Sequence, residues 1–548
     1  MIATHVEWSA AVPRLDDRLA GDAPTVVPDG AAMVPGWLLN ALVFTGGVTS
    51  VGIELAASRL IAPYFGDSTF IWANLIGVTL AFLSVGYWVG GRVADRYPRP
   101  ALLFAVTTVA AVAAALIPWL SRPILSASLA AFDSIDIGAF YGSLVGVLLL
   151  IAVPVTLLGF VSPFAIRLRT LDPRSAGHAA GNTYALSTVG SIVGSFLPVV
   201  VLVPWVGTRR TFLILATLLL VPSITGLALS RIRLVTGAAV AVAIVALSFA
   251  WVDAGAGIRP AERGVLLHEE ESPYNYIQVV EDDGVRYLVL NDGHAVHSIY
   301  DPDALLTGGP WDYFMVGPLL AAHADTTPEP ASALLIGLAG GTAARQLIAA
   351  YPAIEVVGVE LDPAVIDVGR DYFALDQPNI EVVAADGRYY LKTSDRDFDV
   401  IGVDAYRQPY IPFHLTTVEF FRETVDHLTT DGVVVVNVGR TETDYRLVDA
   451  LATTMSAVFP HVVAIDVERY HNTMLIGSMA PLSVGSLAGN AARLDPDSPA
   501  RTVAEAALTT GMIRTLRPEG EAFTDDLAPV ERVVDQIIVD AARDEGNP

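Results

Sequence analysis

Residues 334–373 read LLIGLAGGTAARQLIAAYPAIEVVGVELDPAVIDVGRDYF. The apolar run 333–336 leads into Gly337, Gly340 and Gly341. A helical pattern follows, and a second apolar run, 354–359, ends at Glu360. The order is strand, glycine turn, helix, strand, acid. Glycine lets the backbone turn sharply and approach a ligand, and the helix behind it offers unpaired N–H groups. An acid at the tip of the second strand can accept from the two hydroxyls of a ribose. Together these predict a nucleoside-binding α/β unit. The spacing differs from the G-x-G-x-x-G of dinucleotide folds, and no P-loop lysine follows the glycines.

The chain has 548 residues, too many for one core, so at least two domains are expected. It is 53% hydrophobic, high for a soluble protein of this size. With no cysteine it has no disulfide, no thiolate metal site and no cysteine nucleophile. The net charge of −25 argues against nucleic acid as a partner. Lys392 is the only lysine, and an acid excess with so little lysine looks like adaptation to high salt.

Residues 1–30 are polar, lack a sustained period and read as a flexible cytoplasmic tail without the regions of a signal peptide. Residues 31–255 read as a multi-span membrane domain. Seven apolar runs, near 36–63, 70–91, 101–120, 139–164, 180–204, 211–230 and 233–251, each reach the ~20 residues that cross a bilayer. The second loop carries Arg92, Arg96 and Arg99, and the fourth Arg167, Arg169 and Arg174, whereas the first and third are nearly free of positive charge. Arginine placement therefore puts the N-terminus in the cytoplasm. A cytoplasmic C-terminal domain then requires an even number of crossings. Eight result if 121–137 hides a span, and six if the Gly- and Pro-interrupted 180–204 is re-entrant. Glu54 and Arg59 lie in the first span, where a charge needs a partner or a route to the surface.

Residues 262–325 predict a small β-hairpin subdomain, with strands near 276–280 and 286–290 around Asp283-Gly284 and a second turn at Asn291-Asp292-Gly293. Residues 326–548 predict a doubly wound sheet, with further strands near 381–384, 398–403 and 432–438. Its strand ends, where ligands bind in such sheets, carry Glu360, Asp386 and Asp404. A carboxylate such as Asp404 at a strand tip can position a reacting group and take its proton.

Hairpin, glycine turn, Glu360, Asp386-Gly387 and Val403-Asp404, in this order over roughly 262–480, resemble the spermidine synthase (polyamine aminopropyltransferase) family. The layout resembles its membrane-fused subgroup with an N-terminal multi-span domain. The resemblance implies a methyltransferase-like Rossmann fold. It implies transfer of an aminopropyl group from decarboxylated S-adenosylmethionine to an amine, with no metal. It further implies that Gly337, Gly340 and Gly341 face the methionine-derived portion and that Glu360 binds the ribose. Asp386, followed by Gly387, would accept from the adenine amino group. Asp404 would be catalytic, and Tyr274-Asn275 stand where the family has Tyr-Gln, with Asn275 on the nucleoside side. Tyr274, Asp312, Arg407 and Tyr470 fall to the amine side.

The amine half departs from the family pattern. The aspartate of the glycine turn is replaced, at a position read as Gly340, and the D-S-x-D-P motif is Asp404-Ala405-Tyr406-Arg407, so the second acid is Arg407. A buried ammonium needs a charged partner, and Arg407 would repel a polyamine. The acids of 524–531 could return charge to the amine site. Two other readings stay open: an S-adenosylmethionine-dependent methyltransferase-type enzyme with a non-polyamine acceptor, and a transporter with a nucleoside-sensing domain. The expected partners are a small-molecule amine, the lipid bilayer and, in a homodimer, a second copy of the chain. The expected location is the cell membrane, with the catalytic domain in the cytoplasm.

Overall fold

A computed structural model describes residues 35–66, 69–132, 138–170, 176–230, 235–253, 257–291, 295–322, 329–406, 410–467, 469–510, 512–516 and 520–545. The N-terminal tail and residues Arg174, Asp292, Gly293 and Arg407 lie outside them.

The apolar runs form helices α1 (Gly36–Phe65), α2 (Thr69–Arg96), α3 (Pro100–Phe132), α4 (Gly138–Gly159), α5 (Val161–Arg169), α6 (Ala176–Phe196), α7 (Val203–Leu229) and α8 (Val235–Asp253). A π-helical turn, Leu197–Leu202, links α6 to α7. Among the described residues, five stretches are long and apolar enough to cross a membrane, the last being the 54-residue Ala176–Leu229. Straight, that stretch would reach about 80 Å against an apolar bilayer thickness of ~30 Å. It is broken at Gly207, whose φ of 80° and ψ of 163° are non-helical.

Side-chain contacts fix the direction of each helix. Gly190 lies against the carbonyl of Phe44 and Gly194 against that of Val48, so α6 runs with α1. Ser223 Oγ donates to Thr107 Oγ1 (2.7 Å) and Gly226 rests on Phe104, so α7 runs against α3. Trp251, near the end of α8, stacks on Trp119, well along α3, at 4.6 Å, so those two run together. Asn74 reaches Ser143 (3.0 Å) and Gly86 meets the Thr156 carbonyl, so α2 and α4 share the opposite direction. Seven passes result, and the start of α1 and the end of α8 lie at opposite ends of the bundle. Among the described residues the bundle is thus traversed seven times, where an even number of membrane crossings was expected. Residues 121–132 continue α3, and 180–204 runs through the bundle alongside α1 instead of re-entering.

The bundle is sewn to the next domain at the far end of α1. Tyr64 OH donates to the Ile258 carbonyl (2.7 Å), Arg259 Nη1 to that of Pro63 (2.7 Å), and Arg59 to that of Pro273. Thr208, just past the Gly207 break, gives its N–H to Glu271 (2.8 Å).

The hairpin region is a four-stranded antiparallel sheet, β1 (Val265–Glu271), β2 (Tyr276–Asp282), β3 (Val285–Leu290) and β4 (Val296–Tyr300), in sequential order. The last domain comprises β5 (Ser332–Ile336), α9 (Thr342–Ala350), β6 (Glu355–Glu360), α10 (Pro363–Tyr372), β7 (Ile380–Ala384), α11 (Gly387–Thr393), β8 (Phe398–Val403), α12 (Val418–Val425), β9 (Leu428–Gly439), α13 (Arg446–Ser456), β10 (His461–Val467) and β11 (Asn472–Ser478). It ends with α14 (Val484–Ala491), α15 (Pro499–Thr510), β12 (Ile513–Thr515) and α16 (Val530–Glu545). Its sheet order is β12-β10-β11-β9-β8-β5-β6-β7, parallel from β9 to β7. The chain winds outward from β5 through β6 to β7 and returns to β8, so the switch point lies between β5 and β8, where ligands bind in open α/β sheets. Apolar residues fill both faces: Leu335, Val356 and Val433 pack on one, Leu334, Val357 and Val434 on the other.

The bundle depends on helices in backbone contact. A Cβ on Gly190 would lie 2.3 Å from the Phe44 carbonyl oxygen, whereas one on Gly177 of the same helix meets nothing. Gly190→Leu should therefore cost about 1–3 kcal/mol, the usual scale of overpacking. It should lower the thermal midpoint of detergent-solubilised protein, while Gly177→Ala leaves the midpoint where it was.

Candidate active site

The glycine turn sits between β5 and α9 because only it fits there. Gly337 has φ 88° and Gly341 φ 85°. A Cβ on Gly337 would fall 2.5 Å from the Asp404 carbonyl oxygen and one on Gly341 2.4 Å from Leu375. Asp404 N in turn donates to the Ile336 carbonyl (2.8 Å), so the turn and the end of β8 touch backbone to backbone. Gly340 gives its N–H to Ser298 Oγ (2.8 Å), and a Cβ there would strike Ser298 and Phe373 at 2.9 and 3.0 Å. The assignment of the family's turn aspartate to Gly340 is thus corrected. Between the glycines stand Leu338, buried against Gly358, and Ala339, in the left-handed region at φ 49°.

Glu360 ends β6 and accepts from Ala339 N (2.9 Å) and Asp362 N (3.1 Å). Burial raises its pKa, and these backbone donors oppose the rise. It is thereby aimed into the turn with lone pairs still available. Asp362, which the sequence did not single out, is the buried N-cap of α10 and also accepts from Ser272 Oγ and Asn275 Nδ2 (2.8 Å). Asn275 takes a further bond from Asn291 (3.0 Å), which fixes the β1–β2 turn beside the end of β6. Tyr274 is half exposed on that turn. Asp386 caps α11 through Tyr389 N (2.9 Å) and meets His414 Nε2 at 3.2 Å. A Cβ on Gly387 would lie 2.2 Å from Ile336, which holds α11 against β5.

Asp404 stands across the turn from Glu360. Its Oδ1 accepts from Asn437 Nδ2 (2.7 Å), and Asn472 Nδ2 holds Asn437 Oδ1 at 2.8 Å. Trp311 also donates to it. Burial pushes its carboxyl from an ordinary 3.8 up to about 7, against the pull of Asn437 and Trp311. Such a group can exchange a proton near neutral pH. Tyr406 OH donates to the Asn437 carbonyl (3.0 Å) and accepts from Gly439 N (2.6 Å), which ties the end of β8 to β9. Asn437 was visible as one polar residue in the apolar run 432–438, and Trp311 gave no signal of its own.

Two expected amine-side residues take other roles. Asp312 is buried and accepts four bonds, from Thr307 N, Thr307 Oγ1, Gly308 N and Gln346 Nε2. It pins the loop before Trp311, with Oδ1 taking three of these bonds and Oδ2 one. Asp525 is held by Arg388 (2.7 Å) and Thr417 (2.7 Å), so it does not return charge to the amine side. The Tyr470 ring meets that of Trp311 edge-on at 5.9 Å.

Residues 319–479 match a family model described as the spermine/spermidine synthase domain. The chain is 34% identical over 297 residues to a probable polyamine aminopropyl transferase of Bifidobacterium longum, covering 50% of this chain and 65% of that protein. It is 31% identical to a polyamine aminopropyltransferase of Vibrio vulnificus, covering 73% of that protein, and 30% identical to one of Thermococcus onnurineus, covering 76%. A solved spermidine synthase from Thermotoga maritima aligns with 50% of this chain and 87% of its own, at 20% identity and a TM-score of 0.34.

If Asp404 takes the proton, the rate should rise as pH climbs through about 7 and level off above it. A donor to the charged form lowers a carboxyl's pKa, so Asn437→Leu should move that limb upward by about a unit. A pH profile of kcat/KM for both proteins checks this, and an unmoved limb would detach Asn437 from the titrating group.

Proposed function

The chain therefore belongs to the polyamine aminopropyltransferase family, and we propose that it is a membrane-bound transferase that moves an aminopropyl group from decarboxylated S-adenosylmethionine to an amine. One observation carries the reading: Glu360, Asp386 and Asp404 stand after three parallel strands around one glycine turn, and burial pushes the Asp404 carboxyl up to about 7. Glu360 accepts from the ribose hydroxyls, and Asp386 from the adenine amino group. Gly337 and its neighbours let the sulfonium chain pass close to the backbone. Asp404 holds the acceptor nitrogen in line with the carbon on sulfur and takes its proton. The neutral thioether leaves. Orientation and proton transfer are the two contributions these residues make. No carboxylate side chain stands in the glycine turn, which favours a second reading in which intact S-adenosylmethionine is the donor.

Binding and turnover should separate. Asp404→Asn should reduce turnover at least ~100-fold, the scale of a positioned general base, while leaving methylthioadenosine affinity nearly intact. Glu360→Gln should weaken that affinity by about 1–3 kcal/mol. Calorimetry with methylthioadenosine and with each donor, followed by product analysis, checks both. Heat and turnover with only the intact donor would establish the second reading.

Two constraints act on orientation. The donor is made inside the cell, which supports a cytoplasmic catalytic domain. Arg92, Arg96, Arg99, Arg167 and Arg169 lie at the opposite end of the bundle, which by the positive-inside rule favours a catalytic domain on the outer face. The chain lacks cysteine, so single cysteines report cleanly. Asp395→Cys in the catalytic domain should stay unlabelled by an impermeant maleimide on intact cells, while Pro98→Cys reacts; the reverse pattern would place the domain outside.

A further inference from the structure

Asp404 is a lone charge. Burial, Asn437 and Trp311 act on its carboxyl, and no Asp, Glu, Lys or Arg of the described residues is among those influences. The space beyond it changes character with distance. Trp311 lies first, then Tyr470 across the edge-on ring contact. Next come two guanidiniums. Arg469 sits 5.3 Å from the Tyr470 ring and is braced on the Thr307 carbonyl, and Arg263 lies 4.0 Å from the Tyr287 ring. Burial raises the pKa of the Tyr470 hydroxyl, and Arg469 and Arg263 both pull it back, so both charges act on Tyr470. Both arginines are exposed, and neither makes an ion pair among the described residues. Asp312 also acts there, but its oxygens are committed to the Thr307–Gly308 loop.

A diamine has a second ammonium that needs a carboxylate. Among the described residues that end would meet two guanidiniums, with Asp312, held by the Thr307–Gly308 loop, as the carboxylate that also acts on Tyr470. A carboxylate would find the planar, multiply donating partners that arginine supplies.

We propose that the acceptor is an amine bearing an anionic group at its far end, an amino carboxylate rather than a diamine. The amine sits at Asp404, the carbon chain lies along Trp311 and Tyr470, and the carboxylate meets Arg469 and Arg263. This rests on the transferase reading above. In the step itself, the nitrogen lone pair forms a bond to the carbon on the sulfonium. The C–S pair returns to sulfur as a neutral thioether, and the amine proton passes to Asp404.

The test is a matched pair of acceptors with four-carbon chains, 1,4-diaminobutane and 4-aminobutanoate. Each is given with decarboxylated S-adenosylmethionine to the purified full chain. Methylthioadenosine release is followed by chromatography and the product by mass. The expected result is kcat/KM at least ~10-fold higher for 4-aminobutanoate, from one displaced charge pair at a partly solvated site. Arg263→Glu with Arg469→Glu should reverse the preference while methylthioadenosine affinity holds. A wild type that prefers the diamine, with a preference the double variant leaves unmoved, overturns the proposal and leaves the transferase reading standing. No donor heat in calorimetry and no release with either acceptor would overturn the transferase reading and this proposal with it.

Discussion

The backbone contact between the glycine turn and the end of β8 is the constraint on which the site depends. Gly337 has no Cβ, so the carbonyl of Asp404 can lie where that atom would be. Asp404 N completes the contact by bonding to Ile336, the last residue of β5. A nucleoside laid over the turn is then unavoidably beside the Asp404 carboxyl. Any side chain at 337 would push these strands apart at the point where reacting atoms must meet within about 3–3.5 Å. Proximity here comes from the sheet itself and needs no loop to close.

How much of this was legible in the sequence follows from range. The glycine turn and Glu360 are encoded within one βαβ unit, and Asp404 at the end of its own strand, where periodicity and residue type suffice. Asn437 lies 33 residues from Asp404 and reaches it only because β9 is the parallel neighbour of β8. Trp311 comes from a loop before the sheet begins, so no local pattern announces it. Asp312 shows the same limit, since its bonds to Thr307, Gly308 and Gln346 depend on the folded loop. The number of passes was readable from apolar length, whereas its parity was overridden by an argument about where donors are made.

The bundle and the nucleoside site are near neighbours in space. The segment 271–275 meets Thr208 and Arg59 at one end and Asp362 at the other. Asp362 N in turn bonds to Glu360. Glu360 is therefore linked to the helical bundle through Asp362 and the segment 271–275. The β1–β2 turn is held from both sides, by the bundle and by α10, which explains why a four-stranded sheet of this size can keep one register beside a ligand site.

The glycine seams of the bundle bear on what it can do mechanically. Gly190 and Gly194 press on the main chain of α1, and Gly86 on that of α4, with no layer of side chains between. Alternating access requires one group of helices to rock against another, with two packings of similar energy. Side chains can exchange rotamers to make a second packing; main chains in direct contact have none to exchange. The α1–α6 and α2–α4 pairs are thus stiff struts, and the bundle has the mechanics of a rigid support for the domain sewn to its end.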